Sequence, residues 1–169
     1  MRGFDNLEVL HLDHNNLQDI SALGLFKYDE LEEVDLSYNS LTSFEQIKDI
    51  TSLKRIYLQN NQIEEIPELS QIEHLDQLHL SNNDIYDITG VHDMESIQEL
   101  YLNDNLLNDD PGMTINNRSG EPDVLDPVDP NKYGVTLGRI ELWNNPSLDG
   151  VKSQEIIERL EDSGTEVID

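Results

Sequence analysis

Cysteine is absent from all 169 residues. That excludes a disulfide framework and a thiolate metal site, and leaves the redox compartment undetermined. Basic residues are scarce too: ten lysines and arginines stand against 36 aspartates and glutamates, for a net charge of −26. Gripping nucleic acid through its phosphates requires a basic surface, so the composition argues strongly against that class, and against anionic membranes for the same reason. No run of about 18 apolar residues occurs, and Met1 to Leu7 contain no apolar signal-peptide core, so no membrane-inserting segment and no export address is visible. Hydrophobic content is modest at 36%, and aromatics make up only 6%, with a single tryptophan. The acidity fits a cationic partner, a calcium-rich setting or a high-salt habitat. Plain solubility is the simplest reading, because acidic surfaces resist association.

What the sequence does have is a period. Leu75, Leu78, Leu80, Asn83, Ile85 and Ile88 form a skeleton that recurs 22 residues earlier as Leu53, Ile56, Leu58, Asn61, Ile63 and Ile66. Twenty-two residues later it reads Ile97, Leu100, Leu102, Asn105 and Leu107. The pattern is L-x-x-L-x-L-x-x-N-x-I-x-x-I, and self-similarity at a fixed period signals a solenoid. Aligned on Asn15, Asn39, Asn61, Asn83, Asn105 and Asn145, the spacings are 24, 22, 22, 22 and 40. Each unit packs only on its neighbours, so length reports repeat number. Residues 1–169 read as a single repeat domain, with units starting near residues 7, 31, 53, 75, 97 and 137.

Around each L-x-L the sequence alternates apolar and polar, which predicts a short strand with one buried face. About 17 residues separate successive strands, too many for a hairpin, so the strands pair in parallel through crossovers. The returning limb Leu41, Phe44, Ile47, Ile50, Leu53, Ile56 keeps a period of three, which fits 3₁₀-type turns and neither an α-helix nor a strand. Strands sit about 4.8 Å apart and the turns need more room, so the stack curves with the sheet inside. The asparagine lies where the chain leaves the strand. Its amide can satisfy backbone groups left unpaired at the bend, and the six together predict a structural ladder.

The ends and one insertion break the rhythm. Met1 to Asn6 hold only the tail of a preceding unit, with Phe4 at the position of Ile50, Ile72 and Met94, and no amphipathic capping helix precedes them. The expectation is a longer natural protein or a fragment. The first unit carries a two-residue insertion between Ile20 and Leu31. Asn108 to Gly134 form a 27-residue insertion holding four of the six prolines; long irregular segments of this kind are functional or disordered. Within it, Asp129 and Asn131 occupy positions 1 and 3 and Gly134 position 6 of an EF-hand-like loop, with Asp126 nearby. Tyr133 and Ile140 depart from that pattern at positions 5 and 12, so a solvated Pro/Asp loop is preferred over calcium. Asn117-Arg-Ser119 is a sequon, meaningful only in a eukaryotic secretory setting. Residues 146–169 read as a C-terminal cap: an amphipathic helix over 153–162 with Ile156, Ile157 and Leu160 on one face, ended by Gly164, and then a strand at Thr165 to Ile168.

These residues resemble the leucine-rich repeat superfamily. The 22-residue period with Asn-x-Ile-x-x-Ile is similar to the internalin-like class, which regulatory subunits of protein phosphatase 1 share. The likeness runs from Phe4 to Leu148, and Trp143 to Val167 look like the closing segment of many bacterial members. The resemblance implies an α/β solenoid, a right-handed superhelix or horseshoe with a concave parallel β-sheet, convex 3₁₀ turns and a C-terminal helix–strand cap. It also implies a curved protein-binding scaffold with no catalysis and no cofactor. The motif is structural, so it transfers architecture and no particular ligand.

A partner is expected on the outward strand positions. Among the 24 such positions fall the only tryptophan, three of six tyrosines, three of five histidines and two arginines. Tyrosine, tryptophan and arginine anchor interfaces, although aromatic residues also simply favour strands. His11, Tyr38, Arg55, Tyr57, His79, Tyr101, Arg139 and Trp143 are the candidate contacts. Acids are not enriched on this face. His11, His14 and His79 do not make a metal site, because His79 lies three strands from His11, about 14 Å at strand spacing. Asp35 and Glu33 share a face but lack the pocket a glycosidase requires, and no G-x-S-x-G, P-loop or dinucleotide fingerprint appears. The expectation is a monomeric, non-enzymatic protein-binding scaffold within a longer bacterial surface or secreted protein. An intracellular regulator of the phosphatase type and a calcium-stabilised adhesive module are the alternatives.

Overall fold

Among the described residues, alternation of apolar and polar residues builds seven three-residue strands. They are β1 (Val9–His11), β2 (Glu33–Asp35), β3 (Arg55–Tyr57), β4 (Gln77–His79), β5 (Glu99–Tyr101), β6 (Arg139–Glu141) and β7 (Glu166–Ile168). The computed structural model describes residues 4–86, 94, 96–107, 138–145, 157–158, 161–162 and 164–168. The insertion at 108–134, including Asp126, Asp129, Asn131 and the sequon, and the cap residues 146–156 lie outside the described residues. The strands form one parallel sheet in chain order, with no residue slipped in register: Leu10, Val34, Ile56, Leu78, Leu100, Ile140 and Val167 lie side by side. From Val34 to Ile140 this central row is fully buried, while its neighbours on each strand face out.

The limb with a period of three packs behind the sheet. Leu41, Phe44, Ile47, Leu53 and Ile56 are all 0% exposed. 3₁₀ helices span Ser21–Leu25 and Glu45–Asp49, where a three-residue turn brings every third side chain to the same face. The resulting solenoid carries its sheet on the concave side and these turns opposite. The first coil is less enclosed. Leu7, Leu10, Leu12 and Leu17 are only half-buried against the core, and Phe4 is 50% exposed where Ile50, Ile72 and Met94 are buried. Phe4 still accepts the Leu7 N–H as Ile50 accepts that of Leu53, and its ring meets Phe26 edge-on and Tyr28 stacked.

Each asparagine of the ladder staples two coils. Asn83 Nδ2 donates to Leu80 O of its own coil and Leu58 O of the preceding one, both at 3.0 Å, and Oδ1 accepts the Ile63 N–H at 3.0 Å. Asn39, Asn61 and Asn105 repeat this pattern. So does Asn145, which reaches Leu102 O and accepts the Leu107 N–H, so the coil after the insertion stacks directly on the coil before it. Asn15, at the first coil, is exposed and bonds only to Leu12 O and Asp13 O. At the other end, residues 157–158 and 161–162 are helical. Gly164 follows at φ 95° with its N–H on Glu161 O, a left-handed conformation that favours glycine where a helix stops.

Candidate protein-interaction face

Two rows of side chains flank the buried central row on the concave side. One runs Val9, Glu33, Arg55, Gln77, Glu99, Arg139, and the other His11, Asp35, Tyr57, His79, Tyr101, Glu141. In the second row the rings of Tyr57, His79 and Tyr101 form a column, with centroids 4.7 and 4.1 Å apart, the first pair tilted by 34° and the second stacked at 13°. Those separations nearly match the spacing of the strands, so the stacking axis runs from strand to strand. All three rings are half-buried. Burial pushes the His79 imidazole below its usual pKa, against an opposing pull from Glu99, Glu141 and Asp35. The Tyr101 hydroxyl donates to Glu99 at 2.7 Å, and burial with that carboxylate raises its pKa to about 12. At neutral pH the column is therefore uncharged.

The remaining sequence candidates take separate positions. Arg55 Nε donates to Glu33 at 2.7 Å, which lowers the Glu33 pKa. Arg139 donates to Glu141 at 2.7 Å and also to Glu166. Trp143 is 42% exposed, with its indole N–H 3.3 Å from Glu141. Tyr38 is 48% exposed and stacks on His14 at 4.2 Å, apart from the central column. The next row along, Asp13, Ser37, Gln59, Ser81, Asn103, Trp143, is one of the four that make up the 24 positions expected to face outward, and it corrects that expectation. Ser37 and Asn103 are buried at 2% and 6%, not displayed. Both are small polar groups drawn into the bend: the Ser37 hydroxyl donates to Asp35 at 2.6 Å, and Asn103 accepts from Ser81 at 2.6 Å. Gln59 Oε1, in the same row, is buried with no hydrogen-bond partner among the described residues.

A leucine-rich repeat family profile matches residues 5–63, and the strand, turn and asparagine geometry continues that pattern through residue 145. The fold is that of a leucine-rich-repeat solenoid. No curated protein matches the chain in sequence. Among solved structures it is similar to a leucine-rich-repeat protein of Leptospira interrogans at 24% identity and a TM-score of 0.69, over 94% of this chain and 36% of that one. The LRIM1/APL1C complex is similar at 27% identity and a TM-score of 0.60, over 83% of this chain and 23% of that one. An internalin from Listeria monocytogenes matches at 22% identity and a TM-score of 0.59, over 97% of this chain and 48% of that one. The chain thus spans less than half the length of each of these structures.

Two features of this leucine-rich-repeat fold are not predicted by the sequence analysis. The residue before every ladder asparagine is left-handed: His14, Tyr38, Asn60, Asn82, Asp104 and Asn144 have φ between 53° and 59°. Asparagine and aspartate tolerate that conformation, and their presence at four of the six positions was the available signal; His14 and Tyr38 obscured it. The second is at β1 and β2, where His11, Asp13 and Asp35 offer ligand atoms within 4.8 Å of one another. The sequence analysis sets His11, His14 and His79 aside as a metal site, and His79 indeed lies apart from His11, in the ring column. Each member of the trio has a protein partner: His11 with Glu33, Asp13 with His14, and Asp35 with Ser37. No helix of the described residues is long and apolar enough to cross a membrane.

Proposed function

We propose that the chain is a non-enzymatic scaffold that recognises a protein partner on the concave face of its sheet, as part of a longer bacterial surface or secreted protein. Leucine-rich repeats typically serve as protein-binding scaffolds, and one similar structure is itself the complex LRIM1/APL1C. The observation that carries the reading is the Tyr57–His79–Tyr101 column. Nothing in the repeat motif calls for aromatic rings at these x positions, yet three successive coils place them there, half-exposed and in contact. Rigid, amphipathic rings of this kind contribute much of the affinity in protein interfaces at little entropic cost.

The test is affinity capture with quantitative mass spectrometry, comparing wild type with the triple variant Tyr57→Ala/Tyr101→Ala/Trp143→Ala. A Glu64→Gln/Glu65→Gln variant, altered at exposed positions away from the strands, controls for charge, and circular dichroism verifies folding. A partner lost only from the triple variant supports the reading. A partner held equally by all three proteins places binding on another surface.

A further inference from the structure

Among the described residues every lysine and arginine is already engaged. Lys27 pairs with Asp29, Lys48 with Glu45, Lys54 with Glu32, Arg55 with Glu33, and Arg139 with Glu141 and Glu166. Two carboxylates bordering the ring column have no such partner among the described residues. Asp35, across the register from Tyr57, accepts only from the Ser37 N–H at 2.9 Å and hydroxyl at 2.6 Å. Glu99 accepts only from Tyr101. The concave centre therefore presents aromatic rings and unneutralised carboxylates. Among the described residues it is a surface of acceptors and π faces in which no lysine or arginine is free.

Its geometry narrows the complement further. His79 covers the inner faces of both tyrosines. His79 lies on the β4 side of Tyr57, so the opposite side of the ring is that of β2, where Asp35 lies opposite in register. Arg55, on the strand of Tyr57, is turned away to Glu33. We propose that this place is a docking site for an arginine side chain of the protein partner, its guanidinium laid on the outer face of Tyr57 with its N–H groups on the Asp35 carboxylate. A guanidinium is planar, permanently charged and donor-only, so it can stack on a ring and bond to a carboxylate in the same pose. An ammonium can meet the charge but not the plane. The attraction of a cation to a tyrosine face adds to the ion pair. The uncharged state of His79 at neutral pH leaves no competing cation in the column.

This inference rests on the concave face being the partner side. Its test is an NMR titration of the labelled protein in about 150 mM salt, which screens diffuse attraction to the acidic surface. The probes are acetylated glycine–arginine–glycine amide and its lysine and citrulline counterparts. The Tyr57 and His79 ring protons are expected to shift with the arginine peptide, about fivefold more weakly with lysine, and not with citrulline. Asp35→Asn removes only charge and should abolish the shifts, while Glu64→Gln/Glu65→Gln should leave them unchanged. Equal responses to arginine and citrulline, or shifts spread over the acidic surface and insensitive to Asp35→Asn, would overturn the site. If the peptide leaves the rings untouched while the captured partner still protects β3 to β5 from hydrogen exchange, the arginine inference fails and the concave-face reading stands. A partner that covers another face removes both.

Discussion

Asn83 shows how one side chain joins two coils: a single amide donates to Leu80 and Leu58 and accepts from Ile63. Replacing it with leucine strands these buried groups. Asn83→Leu is expected to lose about 1–3 kcal/mol in urea melts, the usual penalty for unpaired buried polar groups. Asn15→Leu should lose clearly less, because Asn15 is exposed and bonds only within its own coil. Equal losses, or none, would contradict the ladder as a structural device. The residue before the asparagine permits a second experiment. At Asn82, with φ 56°, a β-branched side chain is strained, so Asn82→Val should destabilise by about 1–2 kcal/mol while Asn82→Gly stays near wild type. The ladder was legible because its asparagine recurs at six positions. The left-handed column was only half legible, since Tyr38 and His14 adopt a conformation their residue types rarely signal. The pairing of His11 with Asp13 and Asp35 was not legible at all: it depends on which strands lie adjacent and how each side chain turns.

At the level of elements, the 3₁₀ limb and the ring column divide the labour between core and surface. Phe44 is 0% exposed at the start of the second 3₁₀ turn, and Phe44→Ala should cost about 3–5 kcal/mol in a denaturant melt. In the ring column, burial holds the His79 pKa below that of the unfolded chain. As pH falls, the unfolded state takes up the proton first. The contribution of neutral His79 is therefore complete above about pH 6.5 and is lost as pH drops through the depressed folded value. Melts of wild type and His79→Phe at about pH 7.5 and pH 5.5 check this, because contributions from carboxylates such as Glu33 are common to both proteins. Wild type should lose more stability on acidification; an equal loss would remove His79 from the account. The strands, their order and the rows were readable from alternation and spacing, because a period of two on a 22-residue repeat leaves one register that buries every leucine. The burial of Ser37 and Asn103 was not, since the bend begins at that row and small polar side chains can fold into it.

For the molecule as a whole, the charge of −26 spread over a narrow solenoid means self-repulsion that salt relieves. The melting temperature is expected to rise between low and about 1 M salt, and a flat profile would show that repulsion does not limit stability. The spacing of 40 between the last two ladder asparagines revealed the insertion, and Asn145 bonding to Leu102 and Leu107 explains why the solenoid tolerates it. What a partner needs was the least legible part. The motif specifies the leucines and the asparagine, and the proposed recognition surface lies in the positions it leaves free. That the scaffold and the recognition surface are separable in this way is the central claim. The most direct measurement is hydrogen exchange on the chain alone and in complex with the partner isolated by capture. Protection is expected at β3, β4 and β5, around Tyr57, His79 and Tyr101, with the 3₁₀ side at 45–49 unchanged. Protection confined to that convex side, with the three strands exchanging as in the free chain, would contradict it.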